Sequence, residues 1–273
     1  MNGEYVLATG EAAANRLRIL HSVYGPGARR VLIEAGIRPG MRVADLGSGT
    51  GMVTQLLAEL VGPTGEVVGV DYNGDQVEQA KALLPAGVSN VRFVQASATD
   101  TGLPRESFDL VYSRFLLIHL TEPDAALREM YELLNPNGIL VVEDGDLTTA
   151  GSEPPSCLEE FSNLFGRLGP TWGVDYTLGR RLFQMVLNAN FPSPQITFNQ
   201  PVISKGENKR LLELSVAEAA DAFIGAGLIT SDELNETLSN MNKLVADETV
   251  LALMPRMSQV WARKSSVHVL KAA

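Results

Sequence analysis

A glycine-rich stretch, VADLGSGTG at residues 43–51, carries the residues whose spacing points most directly to ligand chemistry. Three glycines alternate with Ser48 and Thr50, and Asp45 stands two residues before the first of them. The stretch follows an apolar strand-like segment and precedes a helical one, so it is expected to be a strand-to-helix turn. Glycines in such a turn let the backbone approach a ligand at the helix N-terminus.

The glycine spacing rules out two common phosphate-binding loops. Counted from Gly47, the third small residue of a dinucleotide-binding G-x-G-x-x-G/A loop would fall on Met52. The second glycine of a P-loop would also fall on Met52, and a Lys would have to follow that position. No Lys or Arg occurs between Val43 and Leu60. A carboxylate at Asp45 would repel a pyrophosphate and favours an ammonium or sulfonium group. The loop therefore predicts a ligand with adenosine features and a cationic tail, and S-adenosylmethionine fits that description.

A second acid, Asp71, ends the next strand-like segment, EVVGVD, 20 residues after Gly51. An acid at that position can accept hydrogen bonds from both hydroxyls of a ribose. A glycine turn alone is also compatible with an ordinary strand–helix connection. The combination of the strand, D-x-G-x-G-x-G and a distant strand-end Asp favours binding of an adenosine-containing cofactor.

Residues 41–144 resemble class I S-adenosylmethionine-dependent methyltransferases, and the likeness is closest to their small-molecule, ubiquinone/menaquinone type branch. VADLGSGTG is similar to the first motif of that family and VVGVDYN to the second. FVQASATDTGLPRESFDLVYSRFLLIHL resembles the segment through strands three and four, and LREMYELLNPNGILVVED the helix and strand that follow. The resemblance implies S-adenosyl-L-methionine as the cofactor.

The resemblance also implies a set of cofactor contacts. Those at the amino-acid end are Asp45, Gly47, Ser48, Gly49, Ser113 and Arg114; Asp71 binds the ribose, and Tyr72, Ser97 and Ala98 lie at the adenine. The loop contacts are expected from the backbone, and Asp45 is expected to hold the ammonium. Many relatives carry Asp where Ser97 stands, so this adenine contact departs from the family pattern. Arg114 is either the partner of the cofactor's carboxylate or a surface arginine.

From residue 41 onward, short apolar strands alternate with amphipathic helices, which predicts βαβ units and a mostly parallel sheet. Helices are expected at 52–61, 74–84, 123–134 and 177–189, two more over 207–247, and one over 11–36 that breaks at Gly25-Pro26-Gly27. QITFNQPVI and MSQVWARK predict a late pair of strands that closes the sheet as an antiparallel edge.

The predicted fold class is α/β: a doubly wound, Rossmann-like seven-stranded sheet with an antiparallel last strand. An N-terminal helical lid and a helical insertion before the last strand are expected to cover it. In this division residues 1–40 form the lid and 41–150 the S-adenosylmethionine-binding core. Residues 151–273 supply the substrate-covering helices and closing strands of the same domain.

Two titratable residues are candidates for catalysis. His119 follows strand four, at the edge where open α/β sheets bind ligands, and an imidazole there can remove a proton near neutral pH. Tyr24, just before the Gly-Pro-Gly of the lid, is a candidate cap on the pocket. The alternatives are a structural histidine held in a loop and a packed core aromatic.

The expected substrate-binding residues lie on two segments after strand four. Glu143 and Asp146, at the end of strand five, face the substrate edge and are suited to an amine. Trp172 and Tyr176 lie in the region that covers the active site in the resembling enzymes, and they indicate an apolar or aromatic pocket. Solvated carboxylates and core aromatics are the alternatives, and no metal site is expected.

Composition limits the partners. The chain has 273 residues with a net charge of -10, so a nucleic-acid partner, which normally meets a basic face, is not expected. A single cysteine excludes a disulfide framework. No apolar run approaches the length of a membrane span, and the first residues lack a signal-peptide core, so a cytoplasmic location is expected. The expected partners are a small-molecule substrate and, for assembly, a second copy of the chain in a homodimer.

The predicted function is in-line methyl transfer from S-adenosylmethionine to a small, neutral, partly apolar metabolite, such as a specialised natural product, with His119 as the general base. One alternative is a non-catalytic S-adenosylmethionine-binding module that regulates a partner, and such a module would have no open substrate cavity. The other is a nicotinamide-dependent oxidoreductase. Binding of the methyl donor in preference to dinucleotides separates the last of these from the other two.

Overall fold

Ten β-strands are present in the computed structural model, which describes residues 11–265. In chain order they are β1 Arg42–Leu46, β2 Glu66–Asp71, β3 Val91–Gln95, β4 Phe108–Arg114, β5 Leu134–Asp146, β6 Gly151–Glu153, β7 Gln195–Asn199, β8 Val202–Ile203, β9 Leu251–Leu253 and β10 Arg256–Arg263. Seven of them form one sheet in the order β3-β2-β1-β4-β5-β10-β7, and β6, β9 and β8 form a small second sheet.

The central sheet is parallel from β3 to β5, and β10 runs antiparallel to both β5 and β7. The α/β fold with a seven-stranded sheet and an antiparallel last strand, predicted from the sequence, is therefore confirmed. Because β1, β2 and β4 are neighbours and run in parallel, their carboxyl ends meet at one edge of the sheet. The small sheet of β6, β8 and β9 was not predicted, since its strands have only two or three residues each.

Nine α-helices occur in the described residues. They are α1 Glu11–Ala35, α2 Met52–Val61, α3 Gly74–Ala82, α4 Pro123–Leu133, α5 Glu159–Trp172, α6 Leu182–Asn188, α7 Leu211–Glu218, α8 Ala220–Gly225 and α9 Ser231–Val245. The expected helices at 52–61, 74–84 and 123–134 agree with α2, α3 and α4. The helix expected at 177–189 starts later than predicted, because residues 178–180 form a separate 3-10 turn.

The first helix differs from the prediction, because α1 continues through Gly25-Pro26-Gly27 without a break. Pro26 removes one backbone donor, yet the helix continues through it, with the proline exposed and Tyr24 and Ala28 buried on either side of it in the chain. A Cβ added to Gly27 would lie 2.2 Å from Nδ2 of Asn199, so a glycine at this position lets α1 approach β7 closely. The glycines therefore serve packing instead of ending the helix. Residues 1–10 of the predicted lid lie outside the described part of the chain.

The segment before the last strand contains three α-helices where two were predicted. Residues 211–225 divide into α7 and α8, and α9 begins at a capping box in which Thr230 and Glu233 bond each other's backbone. The helices α5 and α7 also contact each other and belong to the large core on one face of the sheet. Together with the first half of α1, they enclose the space beyond the carboxyl ends of β1, β2 and β4.

Candidate active site

A cavity of about 1080 Å³ opens at the carboxyl edge of the parallel strands, between the glycine loop, α1, α5 and α7. Most of the residues that the sequence suggested for the site line it. They are Tyr24, Asp45, Gly47, Ser48, Gly49, Asp71, Tyr72, Ser97, Ala98, Arg114, His119, Trp172 and Tyr176. The fold therefore collects residues from well-separated parts of the chain's first two thirds around a single space.

The glycine loop has a backbone conformation that other residues rarely adopt. Gly47 has φ 75° and Gly49 has φ 52°. A Cβ on Gly47 would lie 3.0 Å from Cδ1 of Leu116, and one on Gly49 would lie 3.1 Å from Oε1 of Gln76. Both neighbouring side chains line the cavity, so added atoms at either glycine would occupy the space available to a ligand.

The backbone donors of the loop are already in use. The amides of Gly47 and Ser48 donate to the carbonyl of Val70 at 2.8 and 3.0 Å. The amide of Gly49 donates to Oδ2 of Asp71 at 2.8 Å. A phosphate-binding loop needs such amides pointing at the ligand, so this loop is not an anion cradle. The backbone contacts expected from Gly47, Ser48 and Gly49 would then be made by their carbonyl oxygens, which suit a cation.

Two acids meet the loop from β1 and β2. Oδ2 of Asp45 accepts a hydrogen bond of 2.6 Å from Oγ1 of Thr54. Burial raises the pKa of Asp45 to about 6, although the bond from Thr54 and the charge of Arg114 act in the opposite direction. Burial also raises the pKa of Asp71, whose Oδ1 accepts from the amide of Asn73 at 2.9 Å. An ammonium or sulfonium beside them would favour their ionised forms.

Arg114 is the cation at this end of the cavity. Its Nη1 is buried and has no hydrogen-bond partner among the described residues. The same is true of Oγ of Ser48 and Oε1 of Gln76, which also line the cavity. Buried polar atoms without partners are unusual in folded proteins. Together with Asp45, this donor and acceptor set fits the ammonium and carboxylate of an amino acid, as S-adenosylmethionine carries.

The residues expected at the adenine lie at the open side of the same cavity. Tyr72 is 73% exposed, so its ring is available to stack on a flat ligand. Oγ of Ser97 is 2.8 Å from Oγ1 of Thr99 and accepts from the Thr99 amide at 3.2 Å. The hydroxyl of Ser97 is thus partly occupied within its own turn, while Ala98 contributes only apolar surface.

Three predicted site residues do not reach the cavity. Ser113 is fully buried beneath it, so its expected cofactor contact is not supported by the structure. Glu143 is buried on the sheet, where it accepts hydrogen bonds from the hydroxyl of Tyr112 and from Nε2 of Gln259. The prediction that Glu143 faces the substrate is wrong, because β10 pairs with β5 at this point and Gln259 lies opposite it.

Asp146 is likewise a structural residue instead of a substrate ligand. Its Oδ1 accepts from the amide of Thr148 at 3.1 Å and from the Thr148 hydroxyl at 2.6 Å. Its Oδ2 accepts from Nε of Arg180 at 2.5 Å. These bonds cap the 3-10 turn after β5 and leave the carboxylate 1% exposed, which is why it does not line the cavity.

His119 ends a 3-10 turn, Leu117–His119, that a buried acid holds in place. Oδ2 of Asp144 accepts from the amide of Leu117 at 2.8 Å, and burial raises the pKa of Asp144 to about 7. The imidazole of His119 lines the cavity and meets the ring of Tyr176 edge-on at 5.8 Å. Burial and the charge of Arg16 lower the pKa of His119 to about 3, so the imidazole is neutral at physiological pH.

Tyr24 and the aromatic residues of the cap form the cavity wall. The hydroxyl of Tyr24 donates to the carbonyl of Pro255 at 2.8 Å, and burial raises the pKa of this hydroxyl. A protonated and bonded phenol is unsuited to act as a base, so the structure supports Tyr24 as a wall. Tyr176 is buried against Phe165 at 5.3 Å, and Trp172 is 36% exposed at the rim.

Several cavity residues were missed by reasoning from the sequence. On α1 they are Arg16, Leu17 and Leu20, which share one helix face with Tyr24 at helical spacing, and that periodicity was the available signal. On the helices before the last strand they are Phe161, Leu211, Leu212, Ser215, Asp221 and Ala222. Their approach to the cavity depends on how α5, α7 and α8 pack, which no local pattern reveals.

Residues 11–265 contain neither a candidate metal site nor a candidate membrane span. Their His, Cys, Asp and Glu side chains form no group of three or more that could hold a metal ion. None of the described helices combines the length and apolar content that crossing a bilayer requires.

A family model described as a methyltransferase domain matches residues 37–176. The ubiquinone/menaquinone biosynthesis C-methyltransferase UbiE of Ectopseudomonas mendocina is 44% identical over 117 residues, covering 42% of this chain and 46% of that protein. The chain thus matches about half the length of this curated relative.

Two solved structures share the fold. The YcgJ protein of Bacillus subtilis superposes with a TM-score of 0.60 at 24% identity, covering 88% of this chain and 99% of that one. A phosphoethanolamine N-methyltransferase of Haemonchus contortus, solved with phosphomonomethylethanolamine and S-adenosylhomocysteine, superposes with a TM-score of 0.53 at 17% identity. That likeness covers 92% of this chain and 52% of the other.

Proposed function

The chain belongs to the methyltransferase domain family, whose model matches more than half of it, and its cofactor is S-adenosylmethionine; from this premise we propose that it methylates a small, partly apolar metabolite. A specialised natural product is the kind of acceptor proposed. The observation that carries the proposal is the glycine loop with its amides turned inward and its acids beside the cavity. Such a loop suits a cationic amino-acid tail in place of a pyrophosphate.

The residues proposed to hold the cofactor are those that line the loop end of the cavity. Asp71 binds the ribose hydroxyls, Asp45 and the loop carbonyls hold the ammonium, and Arg114 meets the carboxylate. Tyr72 covers the adenine, with Ser97 and Ala98 at its edge. When bound, S-adenosylmethionine supplies a methyl carbon that its sulfonium has already activated.

The protein's part in the reaction is then to position an acceptor and exclude water. The rings of Tyr24 and Tyr176 close the cavity walls, and α1 is proposed to serve as the lid. His119 is the proposed proton acceptor, acting from its neutral form, since its lowered pKa leaves the imidazole free of charge. An imidazole with so low a pKa is a weak base, so its contribution is expected to lie in orienting the acceptor as well as in proton removal.

Two observations support an enzyme acting on small molecules over the rival functions. A non-catalytic cofactor-binding module needs no large cavity, whereas this one has about 1080 Å³ beside the loop. A nicotinamide-dependent oxidoreductase needs a loop for pyrophosphate, and the amides here are bonded to protein acceptors. The acidic composition, with a net charge of -10, supports a partner other than nucleic acid.

Ligand binding in calorimetry tests the proposal. S-adenosylmethionine and S-adenosylhomocysteine should bind to the purified protein, while NAD and NADP should give no heat beyond dilution. Binding of a dinucleotide in preference to the methyl donor would overturn the assignment. The same titrations with Gln55→Ala, an α2 residue outside the cavity, provide a control for general effects of substitution.

A further inference from the structure

A buried arginine, Arg16, lines the cavity from the first turns of α1. Its side chain is 7% exposed, and its Nε donates to Oε2 of Glu218 on α7, which is 5% exposed. A guanidinium has five N–H donors, and Arg16 makes no other hydrogen bond among the described residues. The remaining donors therefore lie at the boundary between this ion pair and the cavity.

Many of the other residues that line the cavity are apolar or aromatic. Aromatic rings follow one another from His119 to Tyr176 at 5.8 Å and from Tyr176 to Phe165 at 5.3 Å. The helix α7, which carries Glu218, contributes Leu211, Leu212 and Ser215 to the cavity wall. The positive charge of Arg16 acts directly on His119, so the guanidinium and the candidate proton acceptor share one region of the cavity.

Four other charged side chains line the cavity. Asp45, Asp71 and Arg114 belong to the cofactor end, while Asp221, an exposed acid on α8, lines the cavity three residues after Glu218. The carboxylate of Glu218 balances the charge of Arg16 but accepts from Nε alone, and its Oε1 has no hydrogen-bond partner in the described chain. A buried charge facing an apolar space is costly unless a ligand completes its hydrogen bonds.

We propose that Arg16 is a specificity-determining residue that selects acceptors carrying one negatively charged oxygen on an apolar body. The inference rests on the proposed function and replaces the neutral acceptor expected from the sequence with an anionic one. The oxygen can belong to a carboxylate or to an ionised phenol or enol, since a guanidinium edge binds either. Glu218 accepts a hydrogen bond from Nε, which holds the guanidinium in place, and its carboxylate offsets the positive charge of Arg16.

Paired probes that share one aromatic body, one member anionic and the other neutral, test this selection. The carboxylate arm compares phenylacetate with phenylacetamide, and the phenolate arm compares para-nitrophenolate with para-nitroanisole at mildly alkaline pH. Each is titrated by calorimetry into the full chain saturated with S-adenosylhomocysteine. The charged member of at least one pair should bind about tenfold more tightly than its neutral partner, as a charge-assisted hydrogen bond predicts.

Variants of the ion pair then assign the preference to Arg16. Removing Arg16 alone leaves Glu218 buried without a partner and can unfold the protein, so the informative variant is the double substitution Arg16→Met with Glu218→Met, which replaces the pair by apolar side chains. It should lose the preference for the anion. Glu218→Gln should strengthen anion binding severalfold, because the compensating charge is gone. Arg18→Met is the matched control. Arg18 lies on the same helix as Arg16, but its ion pair with Glu207 is exposed.

The results separate this inference from the proposed function. Equal binding of both members in both arms, no binding of either anion, or an unchanged preference in the double variant would overturn the role of Arg16. Each of these results leaves the proposed function standing if S-adenosylhomocysteine binds. Failure of S-adenosylhomocysteine to bind the wild-type protein rejects the proposed function, whatever the probes do.

Discussion

The amide of Gly49 donates a 2.8 Å hydrogen bond to Oδ2 of Asp71, which joins the glycine loop to the end of β2. The other carboxylate oxygen accepts from the amide of Asn73 at 2.9 Å. Asp71 is therefore held from both sides before any ligand arrives. The two motifs are 22 residues apart in the chain, and this single bond makes them one structural unit.

Replacing Asp71 should weaken donor binding. Asp71→Ala removes the charged acceptor proposed for the ribose, and each hydrogen bond to a charged group contributes about 1.5–3 kcal/mol. The Kd for S-adenosylmethionine should rise at least about tenfold, measured by calorimetry. Asp75→Ala, an exposed acid at the start of α3, should bind as wild type does. Unchanged affinity in Asp71→Ala would contradict the proposed ribose contact.

Gly49→Val should abolish donor binding while the protein remains folded. The φ of 52° is unfavourable for a β-branched residue, and the new Cβ would meet Gln76 at the cavity wall. Gly102→Val is the matched control, because Gly102 has φ 64° and nothing within 4 Å of its added Cβ. Both variants should lose about 1–2 kcal/mol of stability from backbone strain, measured by denaturant unfolding. If Gly49→Val bound the donor normally, the loop would have no role in binding.

The sequence was informative where a local pattern has a single structural meaning. The strand-loop-helix at residues 43–51 and the strand-end Asp71 could be located because glycine spacing and buried strands have recognisable signatures. The mostly parallel central sheet also follows from alternating strands and helices. These features supply the cofactor end of the cavity.

The acceptor end depends on packing between distant segments and was only partly predictable. Glu143 looked like a cavity residue because it ends an apolar strand, but pairing of β10 with β5 places Gln259 against it. Arg16 was missed because its importance arises from α7, some two hundred residues later in the chain, as the separation of 202 residues from Glu218 shows. The low pKa of His119 likewise comes from burial and from Arg16.

The pH dependence of turnover should lack an ionisation from His119 near its ordinary pKa of 6.5. With the pKa lowered to about 3, the imidazole stays neutral through the range in which the enzyme can be assayed. His119→Ala should reduce kcat by about 10²-fold, the lower end for general-base catalysis because the base is weak. Donor affinity should be unchanged.

His21→Ala is the control for this prediction. His21 also has a lowered pKa, to about 4, but it does not line the cavity, so turnover should be close to that of wild type. Full turnover in His119→Ala would assign His119 to structure alone. A step in the wild-type profile near pH 6.5 that disappears in His119→Ala would show that the imidazole titrates in its ordinary range.

Asp144 should make the protein less stable as the pH rises. Its pKa is about 7 in the folded protein against an ordinary 3.8, so the folded state binds the proton more tightly than the unfolded chain. Its contribution to the free energy of unfolding is complete below pH 3.8 and is lost as the pH rises through about 7. The side chain of the Asp144→Asn variant does not titrate. Its free energy of unfolding should therefore rise relative to that of wild type as the pH increases from 3.8 to about 7, by at most about 4 kcal/mol.

The free energies of unfolding of wild type and Asp144→Asn are measured by urea titration at a series of pH values, and Asp175→Asn should show the opposite trend. Burial opposes ionisation of Asp175, but hydrogen bonds from Thr177 and Arg181 outweigh it and lower its pKa. The wild-type carboxylate therefore stabilises the fold above its ordinary pKa. The free energy of unfolding of Asp175→Asn should decrease relative to that of wild type as the pH rises. Parallel pH curves for wild type and Asp144→Asn would show that Asp144 is not perturbed in the folded protein.

Transfer of a labelled methyl group tests the central claim most directly. The protein is incubated with S-adenosylmethionine carrying a deuterated methyl group and with pooled apolar metabolites, and the products are analysed by mass spectrometry. Methyltransferase activity should give a labelled product that forms with wild type and is absent or greatly reduced with Gly49→Val. Saturating donor binding without a labelled product from any pool would contradict it and would identify the chain as a cofactor-binding module without methyltransferase activity.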